Sequence, residues 1–290
     1  MIAVTGANGY IGSRVIAHLR AAGTHAVAMM RDREVDGQPP ADGERVRRFA
    51  LAEPLDPAAL ADVDTVVHAA WDVSSRGEEI RAVNVRGSLP LLDGLAARGG
   101  RVVLISSLAA FTGARSRYGQ AKLELERAVL ERGGAVVRPG VVFGPDAGGL
   151  FGALGAAVSR LGVAPLAGGG WQRLFVTHDQ HLCELVAAIV ARRFTPDRPV
   201  FAAHERPTTL RAITLELASG HGHRLLIPLP QRPAYLAVRL AEAAGLSLPF
   251  RSDSLLSLAT PAPLDQLAAL QRSAVRFPPL TRELWRPALP

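Results

Sequence analysis

The chain has almost no lysine, a single cysteine, few aromatic residues and no long apolar run. Of its 33 basic residues, 32 are arginine and one, Lys122, is lysine. The lone cysteine, Cys183, excludes a disulfide within the chain and any zinc site built from several cysteines; it reads as a small buried apolar residue. No stretch approaches the ~20 apolar residues that cross a bilayer. The best, around Leu182 to Ala191, is interrupted by Glu184. Aromatic residues make up 5% of the chain and do not interleave with the arginines, which excludes a stacking platform for bases. An apolar stretch and a glycine loop stand where a signal peptide would. These absences set the first expectations: a cytoplasmic protein whose partners include neither membrane nor nucleic acid.

What is present is globular. Of 290 residues, 48% are hydrophobic, too many and too evenly mixed for disorder. The net charge of +7 would suggest nucleic acid if it were clustered. It is not: arginines run from Arg14 to Arg286, and the densest group, Arg45, Arg47 and Arg48, follows Glu44. A chain that uses arginine for every generic cation, yet keeps lysine once, points to a position needing a compact ammonium on a flexible stem.

The first half alternates apolar strands with helices. Strands are expected at Ile2 to Thr5, Ala26 to Met30, Arg45 to Phe49, Thr65 to His68, Arg101 to Ser106 and Ala135 to Arg138. Helices are expected from the glycine loop to Ala22, from Glu78 to Ala97 and from Tyr118 to Arg132. Strands apolar throughout, separated by helices, imply a parallel sheet covered on both faces. The fold class is therefore α/β: a doubly wound, Rossmann-like parallel sheet with a smaller C-terminal substrate cap. The expected boundary puts a dinucleotide-binding domain at 1–147 and the cap at 148–290, with 176–195 packing back onto the first domain. Helices are expected there at Leu182 to Arg193, Leu210 to Ala218, Ala234 to Ala244 and Leu264 to Arg272.

Gly6-x-x-Gly9-x-x-Gly12 lies between a strand and an amphipathic helix bearing Ile11, Val15, Ile16 and Leu19. Glycines there permit a tight turn and let a diphosphate approach the backbone, where the helix N-terminus offers free N–H groups. An NAD site usually carries an acid at the end of the second strand, to hold the ribose 2′-hydroxyl. Here Met30-Arg31 stands there, and a guanidinium suits a 2′-phosphate. NADP is the expected cofactor; NAD stays open if Asp32 takes the ribose while Arg31 and Arg33 are solvated.

Tyr118 and Lys122 are four apart on an expected helix and so share a face. A phenol ionises near pH 10 and is a poor proton donor and acceptor at neutrality unless a nearby ammonium stabilises the phenolate. Ser107, just past the fifth strand, supplies a hydroxyl for the reacting oxygen. His221-x-His223 has metal-like spacing but no nearby acid or cysteine, so no metal site is expected. Trp71 reads equally well as pocket wall or as core.

These motifs, in this order, resemble the extended short-chain dehydrogenases/reductases, the NAD-dependent epimerase/dehydratase family. The resemblance is carried by TGANGYIG from Thr5, VVHAA from Val66, VNVRG from Val83, ISSLAAF from Ile105, YGQAK from Tyr118 and RPGVVFGP from Arg138. It covers nearly all of the first 195 residues and is weak beyond them. It implies Tyr118 as acid–base catalyst, Lys122 as its partner and ribose ligand, Ser107 on the reacting oxygen and Asn84 as active-site support. Gly6, Gly9, Tyr10, Ile11, Gly12 and Arg31 would hold the cofactor, as would Ala69, Ala70, Pro139 and Val141. Family members often pair through the helices that here bear Tyr118 and Asn84, making a homodimer an expectation.

The departures narrow the function. Phe49 to Ala52 lacks an adenine-contacting acid. Leu108-Ala109 replaces the Asp-Glu pair of sugar-nucleotide dehydratases, and Val141 replaces an epimerase asparagine. Gln172, beside Arg173, replaces a phosphate-gripping arginine. The expectation is an NADP-dependent oxidoreductase acting on a carbonyl or alcohol of a small, fairly apolar molecule. A nucleotide-sugar epimerase using bound nicotinamide transiently, and a non-catalytic NADP-binding sensor, are the alternatives.

Overall fold

A computed structural model describes residues 1–31, 46–161, 163–219, 225–244 and 252–285. Asp32, Arg33, Arg45 and the His221-x-His223 loop lie outside the described residues. The central sheet has eight strands, all parallel. They are β1 (Ile2–Thr5), β2 (Ala26–Met30), β3 (Val46–Arg48), β4 (Thr65–His68), β5 (Arg101–Ile105), β6 (Ala135–Pro139), β11 (Val200–Ala202) and β14 (Gln271–Arg272). Their order across the sheet is β3-β2-β1-β4-β5-β6-β11-β14. The order in which the chain adds strands reverses between β1 and β4, and the crevice at the carboxyl ends of those two strands is where such sheets bind ligands.

Consecutive strand residues face opposite layers, which is why the strands read as unbroken apolar runs. Val4, Val67, Val103 and Val137 pack under α1 (Tyr10–Ala21) and α6 (Asp179–Val190). Ala3, Val66, Val102 and Val136 pack under α3 (Leu89–Ala96) and α4 (Arg117–Leu130). Each fully buried aliphatic side chain contributes about 1.5–3 kcal/mol. Gly23, at a φ of 75°, ends α1 in the left-handed conformation that a side chain would strain.

Two expected helices differ. The long helix expected from Glu78 to Ala97 is broken: α2 (Glu79–Asn84) gives way to a 3₁₀ turn, Arg86–Ser88, before α3. Pro90 lacks the N–H that would continue the ladder. Gly87 lets the break press against the turn after β3, since a Cβ there would lie 2.5 Å from the Ala52 amide nitrogen. The helix expected from Leu264 to Arg272 stops at Ala268 as α10 (Leu264–Ala268). Gln271 and Arg272 instead pair with Val200 and Phe201 as the edge strand.

Beyond β7 (Val141–Phe143), the chain makes α5 (Gly149–Leu161) and the pair β8 (Val163–Ala167) and β13 (Leu225–Leu229). The short strands β9 (Arg173–Leu174), β10 (Val176–His178) and β12 (Thr208–Thr209) also lie here. With them come α7 (Leu210–Ala218), α8 (Gln231–Ala243) and α9 (Ser252–Ala259). Phe143, Phe151, Leu154, Leu166, Ile213 and Leu217 form a second core. No helix among the described residues is long and apolar enough to cross a membrane.

Candidate active site

The glycine loop is closed by backbone contact. Gly6 has a φ of 64°, and a Cβ on it would lie 2.7 Å from the Ala70 Cα. A Cβ on Gly12 would lie 2.1 Å from the Gly6 carbonyl oxygen, and the Gly9 N–H donates to that oxygen at 2.9 Å. The loop therefore seats directly on Ala69-Ala70 at the end of β4. Gly9 caps α1 without a side chain, and no acid stands in its first turn. This cradle, open at the backbone and facing a helix N-terminus, fits a dinucleotide diphosphate. Tyr10 and Ile11 line the adjoining cavity. The Tyr10 hydroxyl donates to Asp179 Oδ2 at 2.6 Å, and burial followed by that carboxylate pushes its pKa up. Arg31 is exposed just beyond β2.

The cavity, about 550 Å³, opens along the carboxyl edge of the sheet, and Ser107, Tyr118 and Lys122 share its wall with Ala69 and Val141. Ser116 caps α4 by accepting the Gly119 N–H at 3.1 Å, which starts the helix one residue before Tyr118. Gly119 lets α4 lie against the Ser107 turn, since a Cβ there would sit 2.3 Å from the Ala109 carbonyl oxygen. Tyr118 is half-buried and lines the same cavity as Ser107. Lys122 is buried, and its Nζ donates to the Ile105 carbonyl at 3.0 Å. Burial pushes the ammonium down to about 7, against the attraction of Glu126.

The Tyr118 pKa is raised: burial outweighs the lowering by the Ser107 hydroxyl, and Glu126 adds to the rise. The Lys122 Nζ lies 6.0 Å from the Tyr118 ring centre but 4.1 Å from that of Trp71. The remaining expected residues do not all reach the cavity. Asn84 is buried and grips the Asp72 backbone, accepting its N–H at 2.6 Å and donating to its carbonyl at 3.2 Å. Pro139 is buried at the end of β6, its carbonyl accepting the Leu108 N–H at 2.9 Å. Ala70 backs the glycine loop rather than the cavity.

The model of the NAD dependent epimerase/dehydratase family matches residues 2–160. The chain belongs to that family. No curated protein matches it. Among solved structures it is similar to MoeE5 in complex with UDP-glucose and NAD, with a TM-score of 0.68 and 23% identity over 80% of this chain and 85% of that one. It is similar to TunA, an NAD-dependent NDP-hexosamine 5,6-dehydratase of tunicamycin biosynthesis, with a TM-score of 0.67 and 20% identity over 91% and 99%. The UDP-glucose 4-epimerase of Thermotoga maritima gives a TM-score of 0.65 and 20% identity over 89% and 96%. At these identities the likeness is one of fold.

Within this family member, several residues that the motifs did not reveal shape the site. Trp71 lies edge-on to Tyr118, with ring centres 5.3 Å apart, while its face holds the Lys122 ammonium, so it belongs to the pocket wall. Asp72 follows it; burial raises its pKa, but hydrogen bonds from the Ser74 and Ser75 hydroxyls and amides prevail and hold it at about 2. Fully buried His68 links the two halves of the crevice. Ser88 Oγ donates to the Asn84 carbonyl, so it accepts from His68 Nε2 at 2.9 Å, leaving Nδ1 to accept from Thr5 Oγ1 at 2.7 Å. Burial and then Lys122 push this imidazole down to about 3. Beneath Lys122, Glu126 is clamped by the Arg138 guanidinium and accepts from Ser106 Oγ, tying α4 to β5 and β6. An acid four residues after the lone lysine was the sequence signal that Lys122 and Glu126 share a face of α4.

Proposed function

We propose that this family member is an NADP-dependent reductase or dehydrogenase that acts on a carbonyl or alcohol of a small, fairly apolar molecule. The observation that carries the reading is that Ser107, Tyr118 and the buried Lys122, one helical turn on from Tyr118, line the same cavity at the carboxyl edge of the sheet. A nicotinamide cofactor held at the Gly6–Gly12 cradle would supply or accept the hydride at the substrate carbon. In the reductive direction Ser107 holds the carbonyl oxygen and Tyr118 gives it a proton. Burial holds the phenol protonated at neutral pH, the state from which it donates, though it also makes it a weaker acid than a free phenol. Lys122, compact and buried, is placed to hold the ribose hydroxyls, a task the bulkier guanidinium cannot take over. Apolar substrate character is supported by Leu150, Leu174, Phe175, Leu258 and Leu267, which line the same cavity.

One observation favours a second reading. Arg173 is exposed on the cavity wall, where it could meet the phosphates of a nucleotide sugar. That reading is a nucleotide-sugar epimerase in which the nicotinamide is used transiently and retained. The test is a screen of carbonyl compounds and alcohols, followed by NADPH and NADH absorbance. Turnover of an apolar carbonyl with freely exchanging cofactor supports the reductase. Cofactor that co-purifies, with interconversion of a sugar nucleotide and no net absorbance change, replaces it with the epimerase.

A further inference from the structure

The start of the helix that carries Tyr118 is held from the far end of the chain. Asp253, on α9, reaches across 135 residues of sequence. Its Oδ1 accepts the Arg117 N–H at 2.8 Å and its Oδ2 accepts the Tyr118 N–H at 3.0 Å. Ser116 spends its hydroxyl on Gly119, and the Gln120 N–H reaches the Ser116 carbonyl, so Asp253 completes the satisfaction of the first turn. A carboxylate at a helix N-terminus makes charge-assisted bonds and meets the positive end of the helix dipole. The same segment makes a second grip: the Gln266 carboxamide accepts the Thr112 N–H at 2.9 Å and donates to the Thr112 carbonyl at 3.0 Å. Both grips fall on the stretch that joins Ser107 to Tyr118. Asp253, Ser257, Leu258, Pro261 and Leu267 also form one wall of the cavity. Upstream, the Glu242 carboxylate of α8 accepts from the Ser252 N–H and hydroxyl, which fixes α9 in its seat.

We propose that Asp253 is a positioning residue that sets Tyr118 against Ser107, so that seating the 252–267 wall over the cavity also aligns the proton-donating hydroxyl. The proposal rests on the acid–base reading of Tyr118. Two bonds to successive backbone amides fix both the height and the rotation of the first helical turn, which one bond would leave free to pivot. Both carboxylate oxygens are engaged by the backbone, so Asp253 acts through Tyr118 rather than on the substrate. A misplacement of about 1 Å at a reacting group costs on the order of 100-fold in rate.

The test uses the full chain with Asp253→Ala and Asp253→Asn. Amide hydrogen exchange needs no substrate: in Asp253→Ala the Arg117 and Tyr118 amides should exchange about tenfold faster or more, while the Gly119 amide, held by Ser116, should not. With a substrate from the carbonyl screen, kcat should fall about tenfold or more in Asp253→Ala and less in Asp253→Asn, which keeps one acceptor, with cofactor affinity unchanged. A raised substrate KM at unchanged kcat would make Asp253 a wall residue only and overturn the proposal. Unchanged exchange at Arg117 and Tyr118 would overturn it without any activity measurement. Tyr118→Phe in the same assay reports on the acid–base reading alone; if turnover survives it, that reading falls while the exchange result still decides whether the grip exists.

Discussion

Lys122 concentrates the chemistry of the site in one side chain. Burial holds its ammonium at about 7, against 10.5 for an unperturbed lysine. Between those values the unfolded chain binds more protons than the folded one, so the folded state gains stability as pH rises from about 7 toward 10.5. Below about 7 both states are charged and this slope vanishes. Replacing Lys122 with Met should remove the slope, read as the change in urea midpoint between about pH 6 and about pH 9 in each protein. A wild-type slope that survives in the Met variant would place the titration elsewhere. On the proposed reading, Arg31 sets the cofactor preference. With a guanidinium rather than an acid after Met30, NADPH should bind more tightly than NADH, and Arg31→Ala should narrow the gap. Charge-assisted hydrogen bonds to the 2′-phosphate contribute on the order of 3 kcal/mol. Equal dissociation constants for the two nucleotides in titration calorimetry would sink the preference.

At the scale of elements, Tyr118 shares a cavity wall with Ser107 because α4 approaches the Ser107 turn more closely than a side chain on Gly119 allows. Alanine is the better helix former by about 1 kcal/mol. Gly119→Ala should nonetheless lower turnover about tenfold or more, because its Cβ would press on the Ala109 carbonyl and drive Tyr118 from Ser107. Turnover at the wild-type rate, with Tyr118 and Ser107 unmoved in a crystal structure of that variant, would contradict this. The elements that sequence made legible are those with local signals. Ile2–Thr5, Ala26–Met30 and Thr65–His68 are apolar runs rich in Ala, Val and Ile and bounded by turns, and Leu210–Ala218 is a periodic helix; each lies where its pattern puts it. The strands Val200–Ala202 and Gln271–Arg272 are too short to carry a period, and only their pairing with distant strands defines them. The break at Arg86–Ser88 was written in Gly87 and Pro90, but the apolar face of Leu89, Leu91, Leu92 and Leu95 continues the helical period on its far side.

At the scale of the molecule, the parallel sheet puts the glycine cradle, the Ala69 strand end and the Ser107–Tyr118 pair along one carboxyl edge, and the later helices close the space above it. The motifs were legible because each is local: glycines at a turn, a tyrosine and a lysine one helical turn apart. The Asp253 grip and the His68 relay from Thr5 to Ser88 were not, since each joins side chains or backbone from elements distant in sequence, and Trp71 was legible only as wall or core alike until its contact with Tyr118 decided for the wall. The raised Tyr118 pKa also escaped the sequence, because spacing gives neighbours but not burial. The central claim is that Tyr118 exchanges a proton with a substrate oxygen while a nicotinamide exchanges hydride. The most direct measurement is single-turnover reduction of a carbonyl substrate by pre-bound NADPH, in wild type and in Tyr118→Phe, with nucleotide affinity measured in parallel. The account predicts unchanged nucleotide affinity and a rate constant lower by about 100-fold to 10,000-fold in the variant. A variant that reduces the carbonyl as fast as the wild type would contradict it.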